Sequence, residues 1–323
     1  MTTIKKIAQT LNLSPSTVSL ALRGAPQVNY KTRLLVEEEA KRQSYHPNLY
    51  ARSLQSGSSQ LIGCLVAKKI TSSFFAEVLE GIGETAAQAG LATLVSWCLN
   101  TQSLPMHVAR LREHQVRSVI IIGNSPELVD IAHNLKRDRV NVIFCTSGKH
   151  KDFPFVVTDD TLGGRMAADY LLECGHRNIL VMFSNNANYE GRAESCFNTL
   201  MAAGCRVSRV DNTDDLMDAW HKTQATAVAA LSDTLALQII HILRSRGLKV
   251  PEDVSVIGYD NLSISAMGEF RLTTIGQQSN KLGEVAVDYL LKCRRASGYD
   301  KTDIQTQILL QPELVERNSV RRI

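Results

Sequence analysis

The chain has 323 residues, of which 44% are hydrophobic and 21% charged, proportions typical of a globular protein rather than a disordered or fibrous one. At roughly 150 residues per domain, this length predicts two domains. No apolar run approaches the roughly 20 residues of a membrane span, and no apolar segment typical of a secretory signal follows the N-terminus. The seven cysteines are scattered singly without a Cys-x-x-Cys pair, which favours reduced thiols in a cytoplasmic protein.

The excess positive charge lies at the N-terminal end of the chain. Residues 1–57 contain eight Lys and Arg against three Glu, a net charge of +5, whereas the rest of the chain has a net charge of −1. A basic segment on a near-neutral body predicts a polyanionic partner for that segment. Charge alone leaves a solvated basic face as the alternative.

The basic segment has the pattern of short helices joined by tight turns. Thr3 is a candidate N-cap for a first helix, because the apolar residues after it have helical spacing. Ser14 and Pro15 are expected to open a second helix, since serine caps well and proline at the first helical position loses no intrahelical hydrogen bond. Gly24 is expected to follow its end.

A third helix is predicted from about residue 29 to residue 43, with Leu34, Leu35 and Ala40 facing inward. Two short helices with a supporting third are typical of a helix-turn-helix head. A segment at 48–55 has room for one or two further helical turns. The Ser- and Gly-rich segment at 56–59 predicts a flexible joint and the main domain boundary.

Beyond residue 60, short β-rich runs alternate with helical stretches. The predicted strands are 61–67, 92–97, 118–122, 140–145, 155–158, 178–183, 226–231, 254–258 and 308–310. The predicted helices between them include 75–89, 162–174, 234–246 and 281–293. This alternation predicts an α/β fold of two lobes, each a doubly wound parallel sheet that binds ligands at the carboxyl ends of its strands.

Two sequence patterns that could indicate cofactor binding or catalysis do not support either function. Gly81, Gly83 and Ala86 fit the GxGxxA pattern, but they lie inside a predicted helix instead of directly after a strand, so dinucleotide binding is not expected. The eight histidines have no metal-ligand spacing, and no Ser/His/Asp or Cys/His catalytic set can be assembled. We therefore expect no cofactor, no metal and no enzymatic activity.

Motifs along essentially the whole chain resemble those of the lactose/galactose-repressor (LacI/GalR) family of bacterial transcription regulators. They are found at 3–8, 13–19, 32–33, 45–54, 62–63, 74–75, 159–167, 175–177, 247–260, 272–275 and 312–317. The resemblance implies a helix-turn-helix head and a hinge helix, joined to a periplasmic-binding-protein-like core. It also implies a homodimer that binds palindromic double-stranded operator DNA and a small-molecule effector, with no membrane partner.

The expected domain limits combine the flexible joint with this resemblance. The head takes 1–57, including a hinge helix at about 48–55, and the effector-binding and dimerisation core takes 61–323. Within the core, lobe 1 is expected at about 61–158 and 279–306, and lobe 2 at about 159–278 and 307–323. Because the chain ends soon after Arg317, we do not expect the extra C-terminal helix that makes tetramers of some family members.

The resemblance places base-reading residues on the outward face of the second helix, at Pro15, Ser16 and Leu20. Family members often have arginine at the last position, which reads guanine through a bidentate fork, whereas Leu20 offers apolar contact such as that to a thymine methyl. A core role for Leu20 is the alternative, and Arg23 can supply polar readout one turn on.

Other implied DNA contacts are made by residues that also serve as ordinary helix caps or as hinge positions. The implied backbone contacts are Thr3, Ser14, Thr17, Ser19, Asn29 and Thr32. Short hydroxyl and amide side chains at helix N-termini suit phosphate, because free N–H groups and the helix dipole point there. Ala51 and Leu54 are implied to face the minor groove, where the paired leucines of a dimer wedge between base steps and kink the duplex.

For the effector, the resemblance implies a set of residues around the cleft between the lobes. The set is Phe74, Phe75, Thr146, Arg192, Ser232, Asp260 and Gln277. Arg192 and Asp260 suit a polyhydroxylated or anionic ligand, since both make charge-assisted hydrogen bonds; an ion pair of Arg192 that bridges the lobes is the alternative. Thr146, Ser195 and Ser232 depart from the family pattern, which has aspartate, glycine and asparagine there.

The sequence therefore predicts a sequence-specific DNA-binding transcription regulator, with repression as the expected mode. A small ligand, a sugar or a related metabolite, is expected to control its operator affinity. Two alternatives use the same scaffold. A solute-binding protein would have a secretory signal and no basic head, and a sugar-converting enzyme would have a catalytic set of residues.

Overall fold

The computed structural model describes residues 3–45, 59–67, 73–148, 152–183, 190–230, 232–267, 271–296 and 306–323. The chain divides into two compact units, Met1–Ser59 and Gln60–Ile323. We call the first unit the head and the second the core. The predicted hinge helix, including Ala51 and Leu54, lies outside the described residues.

The described part of the head contains the three predicted helices, which are α1 (Ile4–Thr10), α2 (Pro15–Leu22) and α3 (Tyr30–Arg42). Each of them begins after a side chain that accepts a hydrogen bond from a backbone amide of its first turn; these caps are Thr3, Ser14 and Asn29. The cap fixes one of the otherwise unpaired N–H groups of each helix. This local chemistry is why the starts of all three helices could be predicted.

The inward face of α3 differs from the predicted one. Its buried residues are Val36, Glu39 and Ala40, whereas Leu34 and Leu35 are 38% and 55% exposed. The prediction followed apolar character, but positions 36, 39 and 40 share one side of a helix with a period of 3.6 residues. The two leucines therefore lie toward solvent, and the prediction that they face inward is wrong.

The core contains two six-stranded sheets. The first has the strand order β11-β5-β4-β3-β1-β2, and the second has the order β12-β10-β9-β8-β6-β7. In the first sheet the strands are β1 (Leu61–Val66), β2 (Ala92–Trp97), β3 (Ser118–Ile122), β4 (Asn141–Cys145), β5 (Phe155–Thr158) and β11 (Gln307–Leu310). In the second they are β6 (Asn178–Met182), β7 (Arg206–Val210), β8 (Ala227–Ala229), β9 (Ser255–Asp260), β10 (Thr274–Gly276) and β12 (Glu313–Val315).

Helices cover both faces of each sheet. They are α4 (Ser73–Gln88), α5 (Leu104–Glu113), α6 (Pro126–Arg137), α7 (Asp160–Glu173), α8 (Glu190–Ala202), α9 (Leu216–Thr223), α10 (Asp233–Ser245) and α11 (Ser279–Arg295). In the first lobe, α4 and α11 bury one sheet face and α5 and α6 the other. In the second lobe, α7 and α8 lie opposite α9 and α10. Every described strand pairing is parallel except that of β10 with β12, so the predicted doubly wound α/β fold is confirmed.

The chain crosses between the sheets after β5, after β10 and after β11. The prediction that residues 307–323 all belong to lobe 2 is wrong at its start, because Gln307–Leu310 pairs in parallel with Phe155–Thr158 in the first sheet. Only Gln311 and Pro312 separate β11 from β12. A crossing this short has no linker-like composition that a sequence pattern could reveal.

Three strands of the second sheet were not anticipated. Arg206–Val210 is a polar strand at the sheet edge, and β10 and β12 have three residues each. Edge strands and very short strands lack the continuous apolar run of a buried parallel strand.

None of the seven cysteines forms a disulfide, and six of them are buried. Within the described ranges, no helix has both the length and the hydropathy needed to cross a bilayer.

Candidate functional site

Hydroxyl groups cluster at the exposed N-terminus of α2. The Oγ of Ser14 accepts a hydrogen bond from the Thr17 amide at 3.0 Å, and it lies 2.8 Å from the hydroxyl oxygens of both Ser16 and Thr17. Pro15 occupies the first helical position. Exposed N–H and hydroxyl donors at the positive end of a helix can bind a phosphate or a base edge.

The other predicted backbone-contacting residues also lie at helix ends. Thr3 accepts from the Lys6 amide at 3.3 Å, and Asn29 accepts from the Thr32 amide at 2.7 Å. Thr3, Ser14 and Asn29 are exposed as well as capping, so the two roles are compatible at each position. The backbone carbonyl of Ser19 accepts from the exposed Arg23 side chain at 3.1 Å.

Leu20 does not lie wholly on the outward face of α2. Its side chain is half-buried and packs against the head core, which contains Val18, Ala21 and Val36. Leu20 therefore combines a partly outward position with the packing expected of the alternative core role, and its contact with a base stays a prediction. Helical spacing could not show this, because Leu20 lies off the Val18–Ala21 side of α2 and the fold of the head brings apolar neighbours to it.

Sequence reasoning did not assign a role to Arg33 of α3. Its guanidinium donates hydrogen bonds of 3.2 Å to the carbonyl oxygens of Gly24 and Ala25, in the turn that follows α2. The contact ties the end of α2 to α3 and so orients the helix whose N-terminus is exposed. The sequence offers little indication of this contact, because a lone arginine beside Thr32 is equally consistent with a solvated basic face.

In the core, three predicted effector residues are in direct contact. Asp260 is the last residue of β9, and its carboxylate Oδ1 accepts from Arg192 Nη1 at 3.3 Å and from Gln277 Nε2. Arg192 belongs to α8, and Gln277 directly follows β10. All three side chains are buried. The carboxyl ends of neighbouring parallel strands thus bring a carboxylate, a guanidinium and an amide together, as this type of sheet allows.

Two residues outside the predicted set also contact Arg192. Asp160, at the start of α7, accepts from Arg192 Nε at 3.0 Å and lies 2.9 Å from Nη2. The guanidinium carbon lies 3.8 Å from the centre of the Tyr259 ring, and the Tyr259 hydroxyl donates to Asp160 at 3.1 Å. Asp160, Tyr259 and Asp260 all belong to the second lobe, so the ion pairs of Arg192 with Asp160 and Asp260 do not bridge the lobes.

Two adjacent glycines allow this cluster to form. A Cβ on Gly163 would lie 2.1 Å from the Tyr259 hydroxyl, and a Cβ on Gly164 would lie 2.1 Å from the Arg192 carbonyl oxygen. Any larger residue in this part of α7 would therefore push away Tyr259 or α8. The close approach explains the two glycines that follow Asp159 and Asp160 in the sequence.

Burial governs the electrostatics of the cluster. Burial raises the pKa of Asp260 to about 7, while the nearby charge of Arg192 acts in the opposite direction and that of Asp233 adds to the rise. Each guanidinium nitrogen of Arg192 is already directed at a carboxylate. The cluster therefore offers a ligand mainly acceptor oxygens, from Asp160, Asp260 and the amide of Gln277.

The remaining predicted effector residues lie on other elements of the core. Phe74 and Phe75 are buried in the core of the first lobe, with ring centres 5.1 Å apart. Thr146 follows β4 with a φ of 69°. Ser232 caps α10 by accepting from the Leu235 amide at 3.2 Å. Contact of these residues with an effector stays a prediction.

The GxGxxA pattern has a packing role. Both of its glycines lie inside α4, and a Cβ on Gly81 would lie 2.1 Å from the carbonyl oxygen of Asn280 in α11. Gly81 therefore allows two helices to pack closely. Among the described residues, no group of three or more His, Cys, Asp or Glu could hold a metal ion.

Comparisons with known families cover both units. Residues 3–48 match the family model described as bacterial regulatory proteins, lacI family, and residues 168–320 match the periplasmic binding protein-like domain. The chain is 30% identical to the HTH-type transcriptional regulator RegA of Clostridium acetobutylicum, over 90% of this chain and 91% of that one. It is 28% identical to the repressor PurR of Pasteurella multocida, over 99% of each chain.

Solved structures agree with this fold. A Lac repressor dimer bound to operator and the anti-inducer ONPF matches with a TM-score of 0.84 at 21% identity, over 99% of each chain. A LacI family regulator from Enterococcus faecium with bound ribose matches with a TM-score of 0.70 at 26% identity, over 81% of this chain and 99% of that one. Since the full-length relatives are transcription regulators, the solute-binding and enzymatic alternatives are not favoured. The chain belongs to the LacI family of bacterial transcription regulators.

Proposed function

We propose that the head, residues 1–57, binds palindromic operator DNA and that the core, residues 61–323, forms the homodimer. The DNA-binding role is supported by the exposed N-terminus of α2, where the hydroxyl groups of Ser14, Ser16 and Thr17 lie close together. In a symmetric dimer, two such helices enter successive major grooves about one helical turn apart. Such a regulator acts in the bacterial cytoplasm, associated with the nucleoid when bound.

This part of the proposal is tested by selecting bound sequences from random duplex DNA. We expect an inverted repeat, and we expect affinity for it to fall steeply with salt because phosphate contacts release counterions. Ser16→Ala should weaken binding to the selected repeat more than to random DNA, whereas Ser245→Ala, in α10 of the core, should change neither. Enrichment of no inverted repeat would contradict the proposal.

We propose further that a neutral polyhydroxylated effector binds at Asp260, Arg192 and Gln277. A neutral ligand is favoured because every guanidinium nitrogen of Arg192 is already directed at Asp160 or Asp260. The cluster therefore lacks a free cationic fork for an anion and has carboxylate oxygens for hydroxyl donors. The ribose-bound relative from Enterococcus faecium supports a ligand of this class.

This part is tested by thermal unfolding with pairs of a neutral ligand and its anionic counterpart. Examples are ribose with ribose 5-phosphate, and glucose with gluconate. A ligand that binds the folded state raises the midpoint of unfolding. We expect at least one neutral polyol of a wider panel to raise it in the wild type and not in Asp260→Ala. Stabilisation only by the anionic member of the pairs would contradict the proposal. Effector binding would change the angle between the lobes and so the operator affinity, and the coupling is reciprocal.

A further inference from the structure

The turn that follows Asp260 contacts both lobes. We call residues 260–265 the Asp260 turn. Its Leu262 is 2% exposed and belongs to the buried core cluster of the first lobe, together with the start of α4. Its Ser263 hydroxyl donates to the carboxylate of Glu77 in α4 at 3.4 Å. The turn thus joins a carboxylate of the second lobe to a helix of the first.

A buried carboxylate holds this turn. Asp233, the first residue of α10, is fully buried. Its Oδ2 accepts from the Leu262 amide at 2.7 Å, and its Oδ1 accepts from the Thr274 hydroxyl at 2.6 Å. A Cβ on Gly258 would lie 2.3 Å from that Oδ1, so β9 passes directly against the carboxylate. Ser232 already caps α10, so the Asp233 side chain is not needed as the helix cap and can accept the hydrogen bond from the turn.

Arg317 also holds this turn. Its Nη2 donates to the Asn261 side-chain oxygen at 2.7 Å, and its Nη1 donates to the Ser265 hydroxyl at 3.1 Å and to the Leu272 carbonyl at 2.7 Å. The backbone at the start of the turn has positive φ, 116° at Asp260 and 57° at Asn261. Asparagine adopts the second of these angles readily, whereas the angle at Asp260 is strained and persists where surrounding contacts impose it.

We propose that Asp233 is a positioning residue for the effector site. It holds the Asp260 turn so that Asp260 presents its carboxylate to the ligand while Leu262 stays in the core of the first lobe. Occupancy of the Asp260 site therefore reaches α4 through this turn. The proposal rests on the proposed effector site, because it assigns the turn as the link between that site and the first lobe.

Hydrogen exchange of the full chain, without effector or DNA, tests this link. Asp233→Ala should speed exchange by about tenfold or more in the segment that contains Leu262, because its amide loses a buried acceptor. Exchange should also speed up in the first two turns of α4, on the other lobe. Asp233→Asn keeps an oxygen acceptor for the Leu262 amide, and we expect it to stay within roughly threefold of the wild type in both segments.

Asp253→Ala is the matched control, because this second-lobe carboxylate also accepts from a backbone amide, that of Lys249, at 2.7 Å. It should speed exchange only near residue 249. If Asp233→Ala does not fold, Thr274→Val removes one of the two hydrogen bonds and should give the same pattern at smaller size. An unchanged α4 beside a faster Leu262 segment would overturn the proposal, as would Asp233→Asn behaving like Asp233→Ala. Neither result would affect the proposed function, since no ligand is present.

Discussion

Gly283 of α11 lies directly against the carbonyl oxygen of Val78 in α4: a Cβ on this glycine would lie 2.2 Å from that oxygen. With Gly81, which faces Asn280 as closely, it makes the α4–α11 contact a backbone-to-backbone one. No side-chain rearrangement can relieve such a clash, so substitution here must separate the helices.

We expect Gly81→Ala and Gly283→Ala each to lower the free energy of unfolding by about 1–3 kcal/mol, the usual cost of overpacking. Gly83→Ala is the matched control. It lies in the same helix with nothing within 4 Å of its Cβ position, so alanine should stabilise the protein by about 0.5–1 kcal/mol. Urea unfolding measures all three variants. Equal effects at positions 81 and 83 would mean that the close helix contact is not what limits residue size.

Asp260→Ala should separate sensing from DNA binding. The residue belongs to the core, so we expect operator affinity within roughly 1 kcal/mol of the wild type. The response to effector should be abolished or strongly weakened, because a polar group of the ligand would lose its buried partner. Operator binding with and without a ligand from the thermal screen measures both. A variant that responds at the wild-type effector concentration would place the effector elsewhere.

Removal of residues 1–60 should abolish operator binding and leave a folded dimer. The physical reason is that the excess positive charge lies in this segment, while both sheets and their helices lie after it. Sedimentation measures the dimer and a gel-shift titration measures the binding. Near-full operator affinity in the shortened chain would refute the assignment of the head.

The pH dependence of stability should reveal the buried Asp260. Burial raises the pKa of Asp260 to about 7, whereas the unfolded chain releases this proton near the usual aspartate pKa of about 3.9. Between these values the folded state holds more protons than the unfolded state, so this residue's contribution to the free energy of unfolding falls as pH rises.

Asp260→Asn removes that contribution, and its stability relative to the wild type should increase from pH 5 to pH 7.5. Each pKa unit corresponds to about 1.4 kcal/mol. The buried His176, whose pKa is lowered mainly by burial, acts with the opposite sign below its unfolded pKa. Because His176 is present in both proteins, it cancels in the difference between their urea unfolding curves. A pH-independent difference would argue against a raised Asp260 pKa.

Local chemistry was readable from the sequence, and tertiary contact was not. The caps Thr3, Ser14 and Asn29 were recognisable because each serves the helix that directly follows it. Asp160 was missed because it meets Arg192 only after α7 packs on α8, 32 residues later in the chain. The same holds for Leu20, whose half-buried position depends on neighbours that helical spacing does not specify.

The residues of the Asp260 cluster likewise include some that the sequence predicted and some that it did not. The position of Asp260 at a strand end followed from the apolar run before it, and its contact with Arg192 and Gln277 agrees with the implied set. The ring of Tyr259 beneath Arg192 could not be foreseen, because the preceding residue of a strand normally faces the other side of its sheet. The φ of 116° at Asp260 departs from strand geometry at that point.

The three passages of the chain between the sheets determine the order in which the protein can be completed during synthesis. The first sheet lacks an edge strand until β11 is made, and the second lacks one until β12 is made. The three head helices, by contrast, are complete by Arg42. Since domains generally fold as units with the N-terminal one first, a nascent chain carries a finished DNA-binding head well before either lobe can close on a ligand.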